Sequence, residues 1–270
     1  MNRRTLSSWL ISAVFLVLLL FPLYIMFKMA LSEPQDIFQK NPPYGIVHFT
    51  WDHFRDVFAS GHAFYEPLTK SLVTAFSATV LSLLIATPAA YAISRFSPRV
   101  RYVFILIIFM SRMVPEVSIA LPISISFIRM GLFDTTAGLV MAHLIRILPV
   151  SCFILVSVFS EFPLSLEQQA RVDGYSRLNA IRKIVLPLSG TGIAVAGLFS
   201  FILSWDEFIY ASYLTLTKPT MPIKMYYYVS RGDIFHSATY AVIITIPVLI
   251  LTFALQRYIK PEYLSGSVKG

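Results

Sequence analysis

The 270 residues contain a single cysteine, Cys152, so no disulfide can close within the chain, and no Cys/His cluster at metal-ligand spacing occurs. Cys152 lies inside an apolar run and reads as a small packing residue. Charge is scarce too: Asp, Glu, Lys and Arg make up 13% of the residues, about half the share of an ordinary soluble domain. The G-x-x-x-x-G-K-[ST] loop that cradles nucleotide phosphates is missing, as are an H-E-x-x-H zinc helix and any recognised nucleophile–base arrangement. These absences argue against a disulfide scaffold, a metalloenzyme, a self-sufficient ATPase and an intramembrane hydrolase. The net charge of +8 would suit nucleic acid, but no polar segment carries a basic run with interleaved aromatics, so nucleic acid is not expected as a partner.

What is abundant is apolar sequence. Hydrophobic residues are 56% and the mean hydropathy is +0.70, the composition of an integral membrane protein. A hydrocarbon core of about 30 Å needs about 20 apolar residues of helix. Six stretches meet that length, at 9–31, 68–93, 102–122, 137–159, 188–210 and 240–258, which predicts an all-α fold forming one transmembrane domain over 1–270. The first run is longer than a leader's apolar core and no small-x-small site follows it before Ser32-Glu33-Pro34, so a retained anchor is expected. Arg3, Arg4, Arg95, Arg99, Arg101, Arg171, Arg177, Arg182, Lys183, Arg257, Lys260 and Lys269 fall on one side of these spans, which predicts that side, with both termini, to be cytoplasmic. Pro22, Pro88, Pro122, Pro149 and Pro247 punctuate the spans and are either tolerated kinks or bends around a path. Tyr226, Tyr227 and Tyr228 suit an interfacial aromatic belt in an outer loop.

The only long polar interval in the back half is 161–187. Ser165 sits where an N-cap would, Leu166 to Val172 can form a short helix that Gly174 ends, and Tyr175 to Val185 can form a second before Pro187. On helix geometry alone this is an amphipathic helix–Gly–helix at a lipid surface. The spans also hold ionisable residues, six of them in three close pairs, and a charge at mid-helix costs about 2.5–3.5 kcal/mol on the mildest scale, so they need partners or water. Arg112 and Glu116 are four apart and expected on one helix face, His143 and Arg146 three apart on another, and Asp206 and Glu207 follow Trp205. They form either an inter-helix ion-pair network or a polar cavity in which Arg112, Glu116, His143, Arg146, Asp206 and Glu207 meet sugar hydroxyls, with Trp205, Tyr210 and Tyr213 as stacking faces. A proton relay through Arg112, Glu116 and His143, as in a secondary carrier, is a further alternative.

The ordered residues Ala170, Asp173, Gly174, nine intervening residues, then Ile184, Leu186 and Pro187 resemble the EAA loop of ABC importer permeases. Gln168 and Gln169 stand where that pattern has an acidic residue and alanine, and Glu167 precedes them. Other stretches are similar to the carbohydrate branch of the family. They are Thr87-Pro88-Ala89-Ala90-Tyr91-Ala92 with Ser94-Arg95-Phe96; Met113-Val114-Pro115 with Leu121-Pro122 and Gly131-Leu132-Phe133-Asp134-Thr135; FILSWDEF at 201–208, with Asp206 for the usual asparagine; and the ending 265–270.

The resemblance implies the type I importer permease fold, in a prokaryotic inner membrane, and the second permease of a maltose-type system. The chain would pair with a sister permease as a heterodimer, meet two ATP-binding subunits and an extracytoplasmic solute-binding protein, and pass a sugar or oligosaccharide. A polyol or a sugar or glycerol phosphate is the alternative cargo. ATP and Mg would be bound by the partner subunits and no cofactor by this chain. Residues 161–187 would be the coupling loop, with Glu167, Gln168, Gln169, Ala170, Asp173, Gly174, Tyr175, Ile184, Leu186 and Pro187 engaging the ATPase. In that reading Gly174 permits the bend, Asp173 and Glu167 supply polar contacts, and Ala170 allows close approach.

Overall fold

The computed structural model describes residues 3–259, so the family-like ending at 265–270 lies outside the described residues. They form helices and no strand. The helices begin with α1 (Arg3–Leu31), α2 (Pro34–Phe38), α3 (Asp52–Ala59) and α4 (His62–Ser94), and continue through α5 (Pro98–Ser111), α6 (Glu116–Arg129) and α7 (Thr136–Glu161). Next come α8 (Leu164–Val172), α9 (Arg177–Ala180), a π turn (Ile181–Val185) and α10 (Leu186–Leu188). The last are α11 (Gly190–Trp205), α12 (Ile209–Leu214), α13 (Met221–Val229) and α14 (Ile234–Ile259).

Four of these helices are long and apolar enough to cross a membrane, and the count rises to six if each of two bent pairs is one span. The bent pairs show where two of the predicted spans turn. The third predicted span is α5 and α6, meeting at 79° across Arg112–Pro115, and the fifth begins after a 71° bend at Ser189 and ends at Trp205 rather than at residue 210. Hydropathy fixes which residues avoid water but carries no direction, so a chain can turn within an apolar run wherever backbone groups find partners. The sharp bends fall elsewhere than at the span prolines, since α1, α4, α6, α7 and α14 continue through Pro22, Pro88, Pro122, Pro149 and Pro247. Tyr226, Tyr227 and Tyr228 lie on α13 rather than in an irregular loop, with Tyr228 stacked on His236 and Tyr240 at 5.2 Å.

One compact unit takes in the described residues up to Pro67 together with Met221–Pro247. There Asp36 accepts from the His48 amide and lies 2.9 Å from His48 Nδ1. The side-chain hydrogen bond between them holds the Asp36 carboxyl below its usual range and raises the His48 imidazole. The other unit is Leu68–Thr220 with the described residues from Val248. Its core joins Ala86, Ala90 and Tyr91 of α4 to Leu155, Val156 and Phe159 of α7 and Ala196 of α11. Small residues bring these backbones close, and a chain of buried hydroxyls, Ser82–Ser151–Ser200 with 2.7 Å at each link, ties the three helices together. By contrast α5 buries none of its side chains.

Gly192 is needed for the approach of α11 to α7, because a Cβ there would lie 2.4 and 2.5 Å from the two methyls of Val158. Valine has little freedom to move aside. Gly192→Ala is therefore expected to cost about 1–3 kcal/mol, most of it recovered by Val158→Ala in the same chain. Thermal melting of the detergent-solubilised protein checks this, and equal losses with and without Val158→Ala would rule out the contact as the cause.

Candidate functional site

Two features stand out, both in the second unit. The first is the loop between α7 and α11. Ser165 is not the N-cap that the sequence suggests: Pro163 holds that place with no side-chain cap bond, and α8 begins at Leu164. The fixed φ of proline starts the turn one residue ahead of Ser165. Gly174 ends α8 as expected, at φ +91°, and its amide donates to the Arg171 carbonyl at 3.2 Å while the Tyr175 amide donates to Ala170 at 3.0 Å. These two bonds make a Schellman end. The second helix starts at Arg177 rather than Tyr175, with the Ser176 hydroxyl accepting from the Asn179 amide. It then widens so that the Leu186 amide donates to Ile181 five residues back, which lets the helix run on through Pro187 rather than stop there.

The loop has two faces. Phe162, Glu167, Ala170, Ala180 and Val185 are buried in this chain, and Gln168, Gln169, Val172, Asp173, Gly174, Tyr175, Leu178 and Pro187 are exposed, Val172 at 87%. Ile184 and Leu186 are half-buried. This corrects two expected roles. Ala170 packs inward instead of offering close approach to a partner, and the Glu167 carboxylate is occupied by Arg95 at 3.0 Å and the Tyr91 hydroxyl at 2.5 Å.

The second feature is the ionic cluster. The three pairs Arg112 and Glu116, His143 and Arg146, and Asp206 and Glu207 come together, although Arg112 and Glu116 do so across the break between α5 and α6 rather than on one continuous helix. Arg112 donates to Glu116 at 3.2 Å and to the Arg146 carbonyl at 3.0 Å. The Arg146 guanidinium is the hub, 3.6 Å from Glu116, 3.7 Å from Asp206 and 3.9 Å from Glu207. Glu207 is fully buried; it accepts from the amides of Tyr210 and Ala211 at 2.7 and 3.0 Å and so opens α12, and its Oε2 is 3.2 Å from His143 Nε2. A proton on Nε2 facing that carboxylate leaves His143 Nδ1 to accept from the Ser204 hydroxyl at 2.7 Å.

Burial divides the eight path candidates. His143, Trp205, Glu207 and Tyr210 are enclosed, so the Trp205 and Tyr210 rings offer no free stacking face in this arrangement. Arg112, Glu116, Arg146 and above all Asp206, whose side chain is 54% exposed, reach the surface. The recess beside Arg112, about 240 Å³, is lined by Ile108, Phe109, Pro149, Val150 and Phe153 and is apolar.

Tyr91, Arg95, Ser204 and Asp134 make site contacts that the sequence does not foretell, although Arg95 is among the orienting basic residues and Tyr91, Arg95 and Asp134 lie in family-like stretches. Tyr91 lies in the last turn of α4 and Arg95 just beyond its end, and their partner is distant in sequence. Asp134, at φ +57°, accepts from the amides of Leu216 and Thr217 and from the Thr217 hydroxyl, with Lys70 3.9 Å away. Burial opposes its ionisation, yet the Thr217 hydroxyl, the two amides and Lys70 together hold the carboxyl below its usual range.

Apolar helices that share an internal ionic cluster, with an exposed helix–Gly–helix between two of them, define a membrane-transport subunit. The family described as "Binding-protein-dependent transport system inner membrane component" matches residues 78–264. The chain is 30% identical over 227 residues to the trehalose transport system permease protein SugB of Mycobacterium tuberculosis, covering 82% of each. It is 29% identical to the diacetylchitobiose uptake system permease protein DasC of Streptomyces coelicolor, covering 96% of this chain and 95% of that one. Among solved structures, a bacterial ABC transporter involved in the import of the acidic polysaccharide alginate superposes with a TM-score of 0.77 at 20% identity, over 96% of this chain and 99% of that one. The chain belongs to the binding-protein-dependent transport family and has the ABC importer permease fold. It is a multi-pass inner-membrane component of a binding-protein-dependent transport system.

Proposed function

We propose that the chain, as one permease domain over 1–270, forms half of the path of an importer for a neutral sugar or oligosaccharide and pairs with a sister permease as a heterodimer. Two ATP-binding subunits hold ATP and Mg and dock on the exposed face of 161–187, an extracytoplasmic binding protein delivers the cargo, and both termini are cytoplasmic. The observation that carries the cargo class is the likeness to permeases named for trehalose and diacetylchitobiose uptake. The ionic cluster is compatible with it: the two guanidinium groups lie 3.2–3.9 Å from three carboxylates, so an anionic cargo would have to compete with those carboxylates for them. Asp206, Glu116 and Arg112 at its exposed rim offer acceptors and a donor for hydroxyls.

Alternating access in this reading starts at the docked loop. Closure of the ATP-binding subunits displaces α8 and α9, and the displacement passes to α7 and α11, which the loop joins. The test is ATP hydrolysis by the complex purified through this chain and reconstituted in lipid, with binding protein loaded with trehalose, diacetylchitobiose or maltose. Stimulation by one of these sugars is expected. Absence of a co-purifying ATPase would sink the assignment of 161–187 and make the proton-coupled carrier the leading reading.

A further inference from the structure

We propose that Tyr91, Arg95 and Glu167 form a polar strap that makes the coupling helix α8 and the end of α4 move as one piece, and that these three are positioning residues for coupled transport. The inference rests on reading 161–187 as the docking loop for the ATP-binding subunits. By chain connectivity α8 is joined to α7, through Phe162 and Pro163, and to α9, through residues 173–176, but not to α4. What adds α4 is Glu167, whose two oxygens are spoken for separately: Oε1 by the Tyr91 hydroxyl at 2.5 Å and Oε2 by Arg95 Nη2 at 3.0 Å. Arg95 also donates to the Phe159 carbonyl at 3.0 Å, in the last turns of α7, and its guanidinium lies 4.7 Å from the Tyr91 ring centroid. One guanidinium thus holds α4, α7 and α8 together.

The geometry suits transmission better than docking. The Arg95 and Glu167 side chains are 12% and 9% exposed, so water competes little with the pair and a partner protein cannot reach the carboxylate without breaking it. A guanidinium bonded in two directions fixes orientation as well as distance, which an apolar contact such as Ala170 does not. From the strap, α4 runs back unbroken to Ser82, whose hydroxyl meets Ser151 of α7, which in turn meets Ser200 of α11. Movement of α8 is therefore imposed on three membrane helices, whereas the adjacent exposed Gln168 and Gln169 remain available to the ATPase.

The experiment uses the complex with its ATP-binding subunits, spin-labelled at Ser97, beyond the end of α4, and Ser165, on the exposed side of α8. In the otherwise native chain the interspin distance is expected to be the same without nucleotide and with ATP and vanadate. In Glu167→Ala the distance is expected to differ between the two states, and the ratio of stimulated to basal ATP hydrolysis to fall on the order of tenfold, within the usual range of coupling between sites. Stimulation is read with whichever of the trehalose-, diacetylchitobiose- or maltose-loaded binding proteins activates the native complex. Arg95→Glu combined with Glu167→Arg is expected to recover part of the ratio. A distance that already shifts in the native chain, an unchanged ratio in Glu167→Ala, or loss of the ATP-binding subunits from that variant would each overturn the strap, the last by making Glu167 a docking contact. Should Glu167→Ala fail to accumulate, Tyr91→Phe removes a single hydroxyl, and an unchanged ratio there overturns the proposal equally. Failure of the docking reading is separate, since it shows as no ATP-binding subunit retained by the native chain.

Discussion

Glu207→Leu is expected to destabilise the assembled permease by about 3–5 kcal/mol, the loss typical of breaking a buried ion pair from one side. The neighbouring substitution Asp206→Asn is expected to cost less than about 1 kcal/mol. The two acids are adjacent in sequence and share Arg146, yet their surroundings differ. Glu207 is fully buried, and removing it strips the acceptors from the Tyr210 and Ala211 amides, the carboxylate from His143 and one counter-charge from Arg146. Two orphaned buried amides alone cost about 1–3 kcal/mol each. Asp206 is half-exposed, its ion pair with Arg146 is 3.7 Å long, and its amide bond to Ile202 is independent of the side chain. Glu207→Gln should fall between them, because an amide oxygen can still accept from one backbone N–H. Thermal denaturation of the detergent-purified complex orders the three. Equal melting of Glu207→Leu and Asp206→Asn would mean that burial does not govern this cluster.

The same pair shows what sequence can and cannot carry. That six ionisable residues in apolar spans must find one another follows from the cost of an unpaired charge in hydrocarbon, and they do meet. Which of them is the hub does not follow, because it depends on the break at Arg112–Pro115 and on the end of α11 at Trp205. Both are changes of direction inside runs whose average hydropathy is featureless. The 161–187 loop is legible in part because its signals are local, a glycine needed at positive φ and a proline within one turn of the next helix, whereas the cap read at Ser165 falls on Pro163 and the cap at Ser176 is not read. Glu167 was misread for the opposite reason. Its place in a motif pointed outward to a partner, and only the packing of α4 reveals that Arg95 and Tyr91 had claimed it first.

Gly174→Asp is expected to abolish uptake of the sugar that stimulates the complex, while the chain still inserts in the membrane and retains its fold. A Cβ at 174 meets no atom within 4 Å, so no clash spreads into the helices. The strain is confined to the backbone, where a residue other than glycine at φ +91° costs about 1–3 kcal/mol. That cost bears on the Schellman end of α8, whose bonds from Gly174 to Arg171 and from Tyr175 to Ala170 set the direction in which α9 departs. Relaxing them swings α9, together with Tyr175, away from the exposed face of α8, the proposed docking surface. Charge adds to this, because a second carboxylate beside Asp173 sits at the exposed tip of the loop. Three substitutions separate the two effects: Gly174→Ala carries only the backbone strain, Gly174→Asn is nearly isosteric with aspartate but neutral and tolerates left-handed backbone, and Gly174→Asp has strain and charge together. Uptake should fall from glycine through asparagine and alanine to aspartate. If asparagine and aspartate are equally inactive, conformation alone governs docking; if aspartate transports normally, the loop is not where ATP hydrolysis is converted into movement.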